Sequence, residues 1–75
     1  MLNTSAIKAI LNNKYSRLRL RDAIHNVGKL GYCIDHVYNS KGQVFLAIRV
    51  RSGKLIISDN KGYNVTRQFK QCLGV

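Results

Sequence analysis

The sequence predicts an α+β fold in which two helices precede a three-stranded antiparallel sheet and a closing helix (α-α-β-β-β-α). Apolar residues recur at intervals of three and four before Gly31 and again near the C-terminal end, which is typical of amphipathic helices. Between these segments, apolar and polar residues alternate, as in strands with one covered face. No proline and no repeat interrupts the 75 residues, so we expect a single domain over 1–75.

Polar residues and a glycine delimit the three predicted helices. Residues 3–5 offer capping oxygens for the first helix, Ser16 for the second and Asn64 for the third. Gly31 is suited to end the second helix. Residues 15–21 also alternate between apolar and basic, so a strand-like start remains open there. The apolar stripes are Ala6, Ile7, Ile10 and Leu11; Leu20, Ala23, Ile24, Val27 and Leu30; and Val65, Phe69, Cys72 and Leu73.

Three strands are predicted over residues 32–38, 43–51 and 55–58. The sequences Asn-Ser-Lys-Gly at 39–42 and Arg-Ser-Gly-Lys at 51–54 are typical of the turns that join antiparallel strands. Strict alternation along the second strand assigns its two faces. The predicted core face carries Val44, Leu46, Ile48 and Val50, and the other face carries Phe45, Ala47, Arg49 and Arg51.

Charge is the most unusual property of the chain. Thirteen Lys and Arg residues stand against three Asp and no Glu, which gives a formal net charge of +10. At least ten positive charges therefore lack an acidic partner within the chain, and an anionic partner would relieve their repulsion. Residues 1–31 and residues 32–75 each carry a net +5, so the charge belongs to the whole domain. This balance predicts binding to DNA or RNA, or to an acidic protein.

Two local concentrations of cations form the candidate nucleic-acid site. Three arginines open the second helix, where guanidinium groups suit phosphates or guanine edges. Two arginines and a lysine lie on the hairpin beside an aromatic residue, a combination that can hold a backbone and stack a base. The candidate residues are Arg17, Arg19, Arg21, Phe45, Arg49, Arg51 and Lys54. Two alternatives stay open, namely that the helical arginines are a solvated face and that Phe45 is buried beneath a helix.

We expect the protein to act by binding rather than by catalysis. An arginine-rich helix and a basic hairpin that engage one groove together would slightly favour duplex DNA over RNA. Exposure of Tyr32, Tyr38 or Phe45 as stacking platforms would favour RNA instead. An inhibitor or adaptor that docks on an acidic protein is a third hypothesis.

A metal-independent ribonuclease also stays open, because attack by a 2′-hydroxyl needs only a base, an acid and cations. The element order is similar to the core of the small basic ribonuclease toxins of toxin-antitoxin pairs, which implies such an activity. The groups that could serve it are His36, Lys61, Tyr63, Arg49 and Arg51.

Two further resemblances concern topology. The last helix-strand-strand-strand-helix segment looks like the double-stranded-RNA-binding domain, although only Arg67 and Lys70 stand where that family has a Lys-Lys-x-x-Lys cluster. The hairpin over 43–58 is similar to the wing of winged-helix DNA binders, which place a third helix before it.

No cofactor and no metal are expected. The sequence has no phosphate-binding Gly-rich loop and no acidic cluster. A zinc site from His25, Cys33, His36 and Cys72 lacks the usual paired spacing. The longest apolar run, Val44 to Ile48, is too short to cross a membrane. With no secretory signal and two cysteines, we expect a cytoplasmic protein, with a homodimer through the sheet edge as one possibility.

Overall fold

The helices and strands form in the predicted order. A computed structural model describes residues 2–39 and 41–73. The sheet is antiparallel with the strand order β1-β2-β3, so the predicted α+β fold is confirmed. The elements are α1 (Thr4–Asn12), α2 (Lys14–Gly28), β1 (Ile34–Tyr38), β2 (Val44–Arg51), β3 (Lys54–Asp59) and α3 (Thr66–Leu73).

Asparagine side chains cap the first two helices. Asn3 accepts a hydrogen bond from the backbone N–H of Ala6 at 2.8 Å, and Asn13 accepts one from the N–H of Ser16 at 3.0 Å. The prediction that Ser16 caps the second helix is therefore wrong, because α2 begins two residues earlier, at Lys14. Asn13 is the C-cap of α1 and also the N-cap of α2, so the two helices follow each other without a loop.

The hairpin between β2 and β3 has the predicted tight turn. Ser52 and Gly53 both have positive φ, at 52° and 75°. Two such residues define the type I′ geometry, whose twist matches that of paired antiparallel strands. The turn fixes a register in which Arg51 lies opposite Lys54.

A β-bulge interrupts the pairing of β1 with β2. Val37 pairs with Leu46, whereas Tyr38 pairs with Val44, so Phe45 is the extra residue. The bulge reverses the two faces predicted for this end of β2. Val44, predicted for the core, is 37% exposed, and Phe45 packs against the buried core.

All three helices contact one another or the sheet to enclose a single apolar core. Helix α2 contacts β1 and β2, α3 contacts β3, and α1 contacts both other helices. Two residues predicted for the core lie outside it, since Leu30 is 58% exposed and Val50 is 39% exposed. The buried apolar residues are Ile7, Leu20, Ala23, Val27, Val37, Leu46, Ile48, Ile57, Val65 and Phe69.

A polar network joins α2 to β1. Asp35 accepts two hydrogen bonds from the guanidinium of Arg19, at 3.0 Å (Nη2 to Oδ1) and 3.3 Å (Nη1 to Oδ2). The amide of Asn26 donates to Asp35 Oδ2 at 2.7 Å, and the backbone N–H of His36 donates to Oδ1 at 2.8 Å. The hydrogen bond from Arg19 is the main cause that lowers the pKa of Asp35 to about 2, against an opposing effect of burial. The carboxylate is therefore held in its charged form.

Acid should destabilise the protein partly through this network. The pKa of Asp35 is about 2 in the folded protein, below its ordinary 3.8. Its stabilising contribution is therefore complete above about pH 4 and is lost as the pH falls towards 2. Replacing Asp35 with Asn should lower the free energy of unfolding at pH 7 by about 1.5–3 kcal/mol and flatten the loss below pH 4, as measured by urea unfolding.

Asp22→Asn is the matched control for this experiment. Asp22 lies on α2, is exposed, and forms no ion pair with any residue in 2–39 or 41–73. This variant should keep the wild-type dependence of stability on pH. A wild-type profile in the Asp35→Asn variant would contradict the assignment.

Candidate nucleic-acid interface

One face of the sheet, here called the open face, points away from the helices. The helices pack on the face that carries Leu46, Ile48 and Ile57. Residues of the opposite parity in each strand, together with Val44 beyond the bulge, line the open face, and cross-strand pairing arranges them in rows about 7 Å apart. From the bulge to the hairpin, the rows are Tyr38 and Val44; His36, Ala47 and Ser58; Ile34, Arg49 and Ile56; and Arg51 and Lys54.

The hairpin end of the open face is cationic. Arg49, Arg51 and Lys54 are all exposed there, and none of them forms an ion pair within the described residues. Arg49 lies between Ile34 and Ile56 in the register. Such apolar neighbours support the stem of an arginine while its guanidinium stays in water. Three of the residues predicted from the sequence are thus brought together.

The opposite end of the open face carries two rings. The imidazole of His36 and the ring of Tyr38 lie 6.3 Å apart between centroids, at an interplanar angle of 52°. Tyr38 is 41% exposed. Aromatic surfaces of this kind are what bases of a single strand stack on. His36 and Tyr38 stand two residues apart on a strand, and this spacing is the sequence signal that could have placed both on the face of Arg49.

A shallow groove of about 490 Å³ connects the two ends. His36, Arg49 and Arg51 line it together, and Ala47 and Ser58 also line it. These two small side chains leave room for a flat group to approach the sheet closely.

The loop after β3 forms one wall of the groove. Asp59 Oδ1 accepts hydrogen bonds from the backbone N–H groups of Lys61 at 3.0 Å and Tyr63 at 2.9 Å. Burial raises the pKa of Asp59, but these hydrogen bonds prevail, and its pKa is lower than usual. This carboxylate therefore holds the loop in place.

The three arginines of α2 do not act as one group. Arg19 points to β1 and is held by Asp35, with 26% of its side chain exposed, so it is part of the framework. Arg17 and Arg21 are exposed and lie one turn apart. Because α2 covers the other face of the sheet, Arg21 is on the opposite side of the molecule from Arg49. The expected single surface, with helix and hairpin facing one groove together, is not formed.

Phe45 is also outside the open face. It packs against the core and lines a small depression together with Ala9 and Ile10 of α1. The prediction that Phe45 shares a face with Arg49 and Arg51 is wrong, because the bulge inserts one residue and turns this side chain towards the helices. Phe45 is half-buried beside α1, which agrees with the alternative of packing against a helix better than with an exposed stacking platform.

The described residues hold no group of three or more His, Cys, Asp or Glu side chains that could bind a metal ion. Cys33 and Cys72 are free thiols. None of the described helices is both long and apolar enough to cross a bilayer. Comparison with protein-family models, curated proteins and solved structures found no match to this chain. The surfaces themselves are therefore the basis on which a function is proposed.

The position of Phe45 can be tested by substitution. Phe45→Ala should lower the free energy of unfolding by roughly 2–4 kcal/mol, because it removes a ring packed on the core, and Phe45→Leu should cost less than about 1.5 kcal/mol. Denaturant unfolding measures both. If the protein binds oligonucleotides, the folded Phe45→Leu variant should keep the wild-type affinity, and a selective loss of binding would place Phe45 in the interface.

Proposed function

We propose that the protein binds single-stranded nucleic acid on the open face and does so without catalysing a reaction. The observation that carries this proposal is the arrangement of one uncovered sheet face. Its hairpin end has three exposed cations that no carboxylate of the described chain pairs with, and its other end has two rings. Phosphates bind at Arg49, Arg51 and Lys54, and bases stack near His36 and Tyr38.

The geometry favours a single strand over a duplex as the ligand. The rings lie on the sheet surface, so they can contact only bases whose faces are free, whereas bases in a duplex are stacked on each other. The expectation of duplex DNA depended on Arg17, Arg21 and the hairpin facing one groove. Arg21 and the hairpin lie on opposite sides of the fold. Tyr38 is exposed, and exposure of this residue as a stacking platform favours RNA.

A ribonuclease is the second candidate, since His36 shares the groove with Arg49 and Arg51. Cleavage requires both a base and an acid near the phosphate. Among the residues that line the groove, His36 is the one imidazole, and Asp59 is bonded to the backbone of its own loop. This composition favours binding. Incubation with labelled RNA separates the two candidates, because loss of cleavage in His36→Ala would establish the ribonuclease.

The cationic end is tested by an Arg49→Ala/Arg51→Ala double variant. Its affinity for a single-stranded oligonucleotide should fall by at least about tenfold, which corresponds to ~1.4 kcal/mol. Loss of two phosphate contacts should also reduce the slope of log K against log salt by about 1.4. Fluorescence anisotropy over a salt titration measures both quantities.

Lys8→Ala/Lys70→Ala is the matched control, because it removes the same charge from exposed positions on α1 and α3. The control should keep most of the wild-type affinity. Equal losses in the two double variants would show that net charge alone causes binding. A pulldown tests the adaptor hypothesis. If an acidic protein remains bound in stoichiometric amount after nuclease treatment, and no oligonucleotide binds, the adaptor hypothesis is supported.

The aromatic end is tested at Tyr38. Tyr38→Ala should weaken binding of single strands by roughly 5- to 150-fold, the equivalent of 1–3 kcal/mol for one stacked base, and Tyr38→Phe should keep most of the affinity. Anisotropy with RNA, DNA and abasic strands of one length measures these effects. If an abasic strand or a duplex binds as tightly as the intact single strand, base stacking is not part of recognition.

A further inference from the structure

The solvent side of α2 carries a second basic stripe, here called the α2 ridge. Its members are spaced by three or four residues, so they follow one side of the helix over about 22 Å. All of them are exposed, and none forms an ion pair within residues 2–39 and 41–73. The α2 ridge consists of Lys14, Arg17, Arg21, His25 and Lys29.

Gly28 lies beside this ridge without a structural need for glycine. Its φ is not in the left-handed region, and a Cβ added there would meet nothing within 4 Å. A helical glycine costs stability relative to alanine. The absence of a side chain leaves a depression of about 360 Å³ that Arg21, Ile24, His25 and Lys29 also line. The ridge therefore combines cations with a partly apolar recess, which suits a phosphate backbone and an attached sugar or base.

The α2 ridge and the open face look in opposite directions. Leu20, Ala23 and Val27 turn towards the sheet, and Arg21 and His25 lie roughly 130° and 170° around the helix axis from them. The smallest dimension of the molecule is 22 Å. A single strand bound to the open face therefore has to turn around the edge of the fold to reach the ridge. Two separate strands, or two distant segments of one, can occupy both surfaces at once.

We infer that the protein bridges two nucleic-acid segments, one on the open face and one on the α2 ridge. The inference rests on the proposed function for the first segment. The second occupant is again a polyanionic strand, because the ridge offers four Lys and Arg side chains along one side of the helix and Asp22 is the one acidic residue of α2. Electrostatic contacts of this kind bind a backbone without reading its sequence.

The test is co-capture of two different oligonucleotides. One is fixed on beads, the protein is added in less than saturating amount, and a second fluorescent oligonucleotide of unrelated sequence follows. Wild type should retain the second oligonucleotide on the beads. Arg17→Ala/Arg21→Ala should bring co-capture to background while its affinity for one strand in solution stays within about twofold, as expected for distant sites.

Two further variants complete the design. The first leaves the formal charge unchanged, and the second removes two positive charges, as Arg17→Ala/Arg21→Ala does. Gly28→Leu fills the recess and should also reduce co-capture, and Lys8→Ala/Lys70→Ala should keep it. Light scattering of the complex gives the number of protein chains that it contains. One chain with two oligonucleotides is the expected composition.

The outcomes separate the inference from the proposed function. If no single strand binds in solution, the proposed function is wrong. If one strand binds but co-capture is absent, or if Arg17→Ala/Arg21→Ala retains it, the second surface is not a binding site. The inference is also overturned if the complex contains two protein chains and if co-capture is abolished by open-face variants but not by ridge variants. Bridging would then be due to a homodimer.

Discussion

The partly buried ion pair between Arg19 and Asp35 joins α2 to β1, and the position of the open face depends on how these two elements pack. The ion pair fixes α2 across β1 and β2, where Leu20, Ala23 and Val27 bury their side chains. An ion pair inside a layer of helices and strands stabilises mainly when other hydrogen bonds satisfy the remaining groups. Asn26 and the backbone of His36 do so here. With α2 packed on this face, none of the helices in the described part of the chain covers the other face of the sheet.

Much of the fold could be predicted because its signals are local. Helical spacing, the asparagines near the start of the first and third helices and the Ser-Gly turn of the hairpin depend on neighbours in sequence. The bulge at Phe45 could not be predicted in this way. Under strict alternation, the face given to one residue of a strand decides the face of all the others. No glycine or proline marks Phe45 as the inserted residue. One extra residue was enough to exchange the faces of Val44 and Phe45.

The candidate site could be predicted only in part, because part of it depends on contacts between residues that are distant in sequence. Arg17, Arg19 and Arg21 look alike in sequence, and only their angles around the helix separate them. Arg19 lies near the side of Asn26, seven residues later, and both reach the same carboxylate. Which carboxylate they would meet depends on a strand that follows a loop, and spacing along the helix does not contain that information. Arg49, Arg51 and Lys54 needed only the hairpin, which is why they were placed together.

The distribution of acidic groups explains why the charge of +10 stays available at the surface. Asp35 pairs with Arg19 of α2, and Asp59 accepts hydrogen bonds from the backbone of its own loop. Asp22, the third acidic residue, is exposed on α2 and forms no ion pair within residues 2–39 and 41–73. Unpaired like charges oppose a compact fold, and in a chain of 75 residues the opposing core is small. A polyanion that bound as proposed would relieve this repulsion, and its binding would then be coupled to stability through these residues. If a polyanion occupies only one of the two proposed surfaces, the repulsion on the other side of the fold stays in place.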